Sequence, residues 1–243
     1  MHTKERGIPL VVYLYDGSFD GLLTCVYHNY HDTPAEGIYP LDTFQPAMMV
    51  LSTAVSTDYA LSAKVYRAIQ EKIAEESLEM VYRVFLSSNP DKEMIILDYL
   101  RLGFKMGSLV DSYHSHPQVY PLHKVARQVS REVHRFLGLL RFKDLGGVLF
   151  AALDPDHNII SLLADHFADR LAGERWIIYD TARKTAVVYN GRDLVDSRNG
   201  VKRKWYMTDF ACDSDITGGT EENLYQEMWK SYFEQIGIKS RYN

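Results

Sequence analysis

The sequence predicts an α+β protein, with a helical N-terminal half and a small mixed or antiparallel sheet flanked by helices in the C-terminal half. Three observations carry that prediction. From about residue 58 to residue 105, apolar residues recur at helical spacing through three successive segments. Beyond residue 143 the period changes, and "GVLFAAL", "RWIIYD" and "TAVVYN" read as strands. Between the first and second of these lies "HNIISLLADHFADRLAG", a helical pattern closed by Gly173. With 243 residues, 46% of them hydrophobic, the chain suits a single domain, 1–243, divisible into a mainly helical sub-lobe, 1–121, and a sheet-plus-helix sub-lobe, 122–243.

Taken in order, residues 9–16 form a strand that ends in the turn Asp16-Gly17-Ser18. Ser18 or Asp20 then caps a helix whose apolar stripe is Phe19, Leu22, Leu23, Val26 and Tyr30. Residues 31–56 carry Pro and Gly punctuation and read as a long irregular connection. Helices follow from about Asp58 to Ile73, Ser77 to Leu86 and Asp91 to Lys105; the last is apolar on nearly every face and suits a central buried position. "RWIIYD" and "TAVVYN" make a hairpin, and residues 201–208 a further strand. Thr220 caps a terminal helix with the core stripe Leu224, Met228, Trp229, Tyr232, Phe233 and Ile236.

Several function classes drop out early. Two cysteines, Cys25 and Cys212, cannot build a disulfide framework or a multi-cysteine metal centre. The N-terminal "MHTKERGIPLVVYLYDGS" lacks a small-residue cleavage site, and no run approaches the roughly 18 apolar residues of a membrane span. A cytoplasmic protein without membrane contact is expected.

Charge is the most informative feature. The formal net charge is -5. Yet residues 123–143 carry six basic residues, Lys124, Arg127, Arg131, Arg135, Arg141 and Lys143, against Glu132 alone. Residues 183–204 carry seven, ending in Lys202, Arg203 and Lys204, against Asp193 and Asp196. On a helical wheel, Leu122, Val125, Ala126, Val129, Val133, Phe136, Leu137 and Leu140 share one arc, and Lys124, Arg127, Arg131 and Arg135 lie opposite. Like charges three and four residues apart repel by roughly a few tenths of a kcal/mol per pair. A stripe kept at that cost suits a polyanion, nucleic acid first. In "KRKWY", Trp205 adds a ring that can stack on a base. The same stripe could equally pair with the protein's own acids, such as Glu71, Glu75, Glu76 and Glu79.

Other candidates are weaker. "YDGSFDG" has the layout of a phosphate site, but Asp16 and Asp20 would repel the phosphate, so a structural turn is expected. His114 and His116 lack the further ligands a metal needs, so neither metal nor cofactor is expected. Asp154, His166, Arg170 and Asp180 could serve catalysis, a carboxylate and a histidine activating water while the arginine holds an anion. They suit structure as readily: Asp154 and Asp180 as turn caps, Arg170 in a buried ion pair to the sheet.

"YDGSFDGLLTCVYHNY", "MIILDYLRLGFKMG", "HKVARQVSREVHRFLGLLRF" and "GVLFAALDPDHNIISLLADHFADRLAGERWIIYDTARK" together resemble a bacterial family named only as probable DNA metabolism proteins. That resemblance implies association with a radical-SAM protein of DNA modification or repair, and with uracil-DNA glycosylase domains to which the same domain is fused. It implies no catalytic residues. The His pair in "DSYHSHPQVY" departs from the family pattern, and members commonly continue past "IKSRYN" with a basic, aromatic tail. Three readings stand: a DNA-binding accessory protein contacting the backbone through Lys124, Arg127, Arg131, Arg135, Arg141, Lys202, Arg203, Lys204 and Trp205; an enzyme built on Asp154, His166, Arg170 and Asp180; and an assembly module that docks an acidic protein.

Overall fold

The structure is a computed structural model that describes residues 11–45, 51–195 and 202–209, with the backbone alone described at 192–195 and 202–204. It is mixed α and β, with six α-helices and two sheets among the described residues and a helical N-terminal half, as the sequence predicts. The chain groups into two compact units, Met1–Ser130 and Arg131–Asn243.

The first unit is built on three parallel strands in the order β2-β1-β3. Strand β1 (Val11–Tyr15) is central and buried along its whole length, which is why its five residues are all Val, Leu or Tyr. The turn after it leads to α1 (Phe19–His31), capped by Ser18, whose hydroxyl accepts from the Gly21 amide at 2.9 Å. Asp16 closes the turn by accepting from the Ser18 hydroxyl (2.6 Å) and the Thr57 hydroxyl (2.7 Å). Burial works to raise the Asp16 carboxyl, but the Ser18 and Thr57 bonds outweigh it and hold the group below its ordinary range. Gly21 lies against that carboxylate; a Cβ there would clash with Asp16 and sit 2.9 Å from the Thr57 hydroxyl.

Residues 31–56, expected as an irregular connection, instead hold β2 (Ala35–Pro40) and β3 (Leu51–Ala54). The reason is tertiary. Neither segment alternates like a half-buried strand: β2 contains Gly37 and ends in Pro40, while all four residues of β3 are exposed. Pairing with β1 makes both of them strands.

Four further elements complete this unit: α2 (Tyr59–Lys72), α3 (Glu75–Phe85), α4 (Lys92–Met106) and a 3-10 turn (Gly107–Ser112). Asp58 caps α2, accepting from the Ala60 and Leu61 amides. Helix α4 is central, burying Ile96, Leu97, Tyr99 and Leu100. It also carries two polar ties to the sheet. Tyr15 donates to the buried Glu93 carboxylate at 2.8 Å, and Arg101 reaches Asn29 Oδ1 and the Ala35 carbonyl, each at 2.7 Å.

Helix α5 (Tyr120–Leu139) runs through the boundary between the units. In the second unit the strand order is β4-β5-β6-β7-β8, formed by Lys143–Asp144, Leu149–Leu153, Trp176–Asp180, Thr185–Val195 and Lys202–Asp209. The sheet is mixed because β5 and β6 run parallel, joined through α6 (Ile160–Arg170), while the other neighbours are antiparallel. Strands β6 and β7 form the expected hairpin. Phe142 packs edge-on against Phe167 of α6 (5.1 Å between centroids), and Trp176 stacks on Tyr189 (5.3 Å). A second cluster, Phe150, Ile177, Tyr179 and Val188, fills the opposite face. The expected helix at 220–236 and Cys212 lie outside the described residues.

Candidate nucleic-acid interface

Helix α5 follows the wheel that its sequence implies. Leu122, Val125, Ala126 and Val129 are buried, Val133, Phe136 and Leu137 half-buried, and Lys124, Arg127, Arg131 and Arg135 exposed. At a rise of about 1.5 Å per residue these four cations span about 16 Å, close to the axial length of five base pairs. Among the described residues, no ion pair engages Lys124, Arg127 or Arg131. Glu79 pairs with Arg83 on its own helix, and Glu71, Glu75 and Glu76 are exposed and form no ion pair among the described residues.

Glu132, the one acid of the helix, sits on the apolar side and is 7% exposed. A buried carboxylate needs donors, and this one has three. Its Oε1 accepts from the Asp156 amide (2.8 Å) and from Arg135 Nη2 (3.0 Å), and its Oε2 accepts from the His157 amide (2.9 Å). Helix α5 is thereby tied to the turn after β5. From the other side, Arg183 donates to the Pro155 carbonyl (3.1 Å) and the Asp156 carbonyl (2.8 Å). Arg183 is itself held by Asp180, fully buried, at 3.0 Å. The turn at 155–157 is therefore gripped by a carboxylate on its amides and a guanidinium on its carbonyls.

That grip settles where the proposed catalytic residues stand. Asp180 accepts from the Ala182 and Arg183 amides and from the Arg183 side chain, so it works as a turn cap. Its ion-pair partner is Arg183 rather than Arg170, which is exposed on α6. Asp154 and His166 are exposed too, and no hydrogen bond or ion pair among the described residues joins any two of Asp154, His166, Arg170 and Asp180. The part played by Glu132 and Arg183 is the feature that sequence reasoning missed. Its signal was present: an acid on the apolar arc of an otherwise basic helix implies a buried set of donors.

The remaining members of the basic set divide. Arg141 is exposed, with its Nη1 on the Gly138 (3.2 Å) and Leu140 (3.3 Å) carbonyls. Lys202, Arg203 and Lys204 lie on β8, and their side chains are outside the described residues. Trp205 is half-buried and its indole N–H donates to Asp165 at 2.7 Å, so the ring is anchored to α6. On the first unit, His123 Nε2 lies 3.0 Å from Asp111, which also accepts from Tyr99 (2.9 Å) and Ser77 (2.8 Å). His114 meets His123 edge-on, and among the described residues no group of three His, Cys, Asp or Glu is placed to hold a metal ion. No described helix is long and apolar enough to cross a membrane.

A protein family described as a domain of unknown function, DUF4130, matches residues 90–243. No curated protein matches the chain. Among solved structures the chain is similar to a pGpG-specific phosphodiesterase, PggH, from Vibrio cholerae, at 9% identity and a TM-score of 0.35, over 74% of this chain and 81% of the other. A likeness that distant carries neither fold nor function.

Proposed function

This chain belongs to the DUF4130 family, and we propose that it binds the phosphate backbone of DNA along α5, as an accessory protein in DNA modification or repair. One observation carries the reading: three successive cations, Lys124, Arg127 and Arg131, stand exposed without ion pairs among the described residues, while the only acid of the helix is committed to the turn at 155–157. Two of the three are arginines, whose planar fork matches phosphate oxygens. Even spacing along one line suits a regular row of phosphates better than the scattered carboxylates of a protein surface. The chain has two cysteines, too few to hold the cluster of a radical-SAM enzyme. In the partnership that the sequence resemblance implies, a radical-SAM protein or a uracil-DNA glycosylase works on the base while α5 holds the backbone.

The test is a chemical footprint. Arginine side chains are modified with a dicarbonyl reagent with and without duplex DNA, and each site is read by mass spectrometry. Arg127 and Arg131 are expected to be protected by DNA, and Arg170, also exposed, on α6, to react as before. Equal modification of all three with DNA in excess would contradict the reading. Protection by an acidic protein but not by DNA would favour the assembly module.

A further inference from the structure

The geometry points to a second site, a nucleotide-binding pocket in the first unit, on helices that the basic stripe does not use. A cavity of about 470 Å³ opens between α1, α2 and α4, within the usual range for small-molecule sites. Its walls are Tyr27, Tyr30 and His31 of α1 and Phe104 of α4, and its rim carries Lys64 and Lys72 of α2. Tyr27 and His31, four residues apart, stack face to face with centroids 3.9 Å apart and planes within 6°. Tyr30 and Phe104 meet edge-on at 5.6 Å.

Tyr27 and Phe104 pack against the core of this unit, yet all four rings keep surface open to solvent. Tyr30 is 44% exposed, His31 is exposed, and Tyr27 and Phe104 are only half-buried. Partly exposed aromatic rings around a concave space offer a planar heteroaromatic ring a stacking surface, at roughly 1–3 kcal/mol per base.

Charge selects the class of ligand. Among the described residues no acid lines the cavity, and Lys64 already lies over the Tyr27 ring, its Nζ 5.6 Å from the centroid. Lys72 stands eight residues further along the same helix, about 12 Å by helical rise. Among the described residues neither lysine takes part in an ion pair. A planar ring with anionic groups on either side fits this layout: a nucleoside phosphate, either free or as one unit of a single strand. The two sources differ in what the lysines meet. A free monophosphate reaches one of them, whereas a nucleotide within a strand, flanked by two phosphates, reaches both.

The experiment is titration calorimetry of the full chain with adenosine and uridine, their 5′-monophosphates and their 3′,5′-bisphosphates. These ligands are too short to bridge the α5 stripe, so the result is independent of DNA binding there. The phosphorylated forms are expected to bind, the bare nucleosides at least tenfold more weakly. Replacing both exposed lysines, Lys64→Glu with Lys72→Glu, is expected to weaken binding at least tenfold while the fold is retained. Replacing Lys124, Arg127 and Arg131 should leave it unchanged. A bisphosphate bound tenfold better than the monophosphate identifies the strand as the source; equal affinities identify the free nucleotide. The proposal is overturned if the wild-type chain binds none of the phosphates at millimolar concentration, or if the lysine variant binds them as well as wild type.

Discussion

Glu132→Ala is expected to destabilise the C-terminal unit by about 3 kcal/mol. Two of the three bonds to this carboxylate come from the Asp156 and His157 amides of the turn after β5. Hydrogen bonds to a charged group contribute roughly 1.5 kcal/mol or more each, and the carboxylate that accepts these two is buried. The Arg135 pair adds little, because that side chain is 54% exposed and water replaces the lost partner. Glu132→Gln keeps one carbonyl oxygen and should retain about half of the stabilisation. Chemical denaturation followed by circular dichroism reads both variants. A loss below about 1 kcal/mol for the alanine variant would mean that the turn at 155–157 holds its shape without α5.

The second large effect is on binding. Replacing Lys124, Arg127 and Arg131 together by Glu is expected to weaken duplex DNA binding at least ~100-fold at 50 mM salt, since three phosphate contacts become three repulsions. The side chains are exposed and take part in no ion pair among the described residues, so stability should move by no more than about 0.5 kcal/mol per substitution. Arg170→Glu serves as the control. That arginine is also exposed but belongs to α6 and not to the α5 stripe, and its reversal should change affinity by less than about threefold. Fluorescence anisotropy with a labelled duplex measures all of these. If the triple variant binds like wild type, α5 is not the contact surface.

How far the sequence could be read follows from where its signals are local. Six helices and the hairpin were legible because their apolar spacing and caps, such as Ser18 and Asp58, act within one turn of chain. The exposure of Lys124, Arg127, Arg131 and Arg135 was legible for the same reason. Strands β2 and β3 were not, since four exposed residues and a Gly-containing segment become strands only by pairing with β1. Asp180 as a turn cap was legible, but the buried ion pair expected of Arg170 is made by Arg183, three residues after Asp180. Glu132 and Trp205 find their partners 24 and 40 residues away, beyond the reach of any spacing rule. The ring-lined cavity needed three helices brought together, and nothing in any one of them announces the others.

The most direct measurement of the central claim is the salt dependence of wild-type binding to a duplex of arbitrary sequence. Three released counterion equivalents predict that log K falls against log salt with a slope of about -2.7, steeper if Arg135 or Arg141 also engages phosphate. The triple reversal should flatten that slope. Wild-type affinity that is absent at 50 mM salt, or that does not change between 50 and 200 mM, would contradict the account.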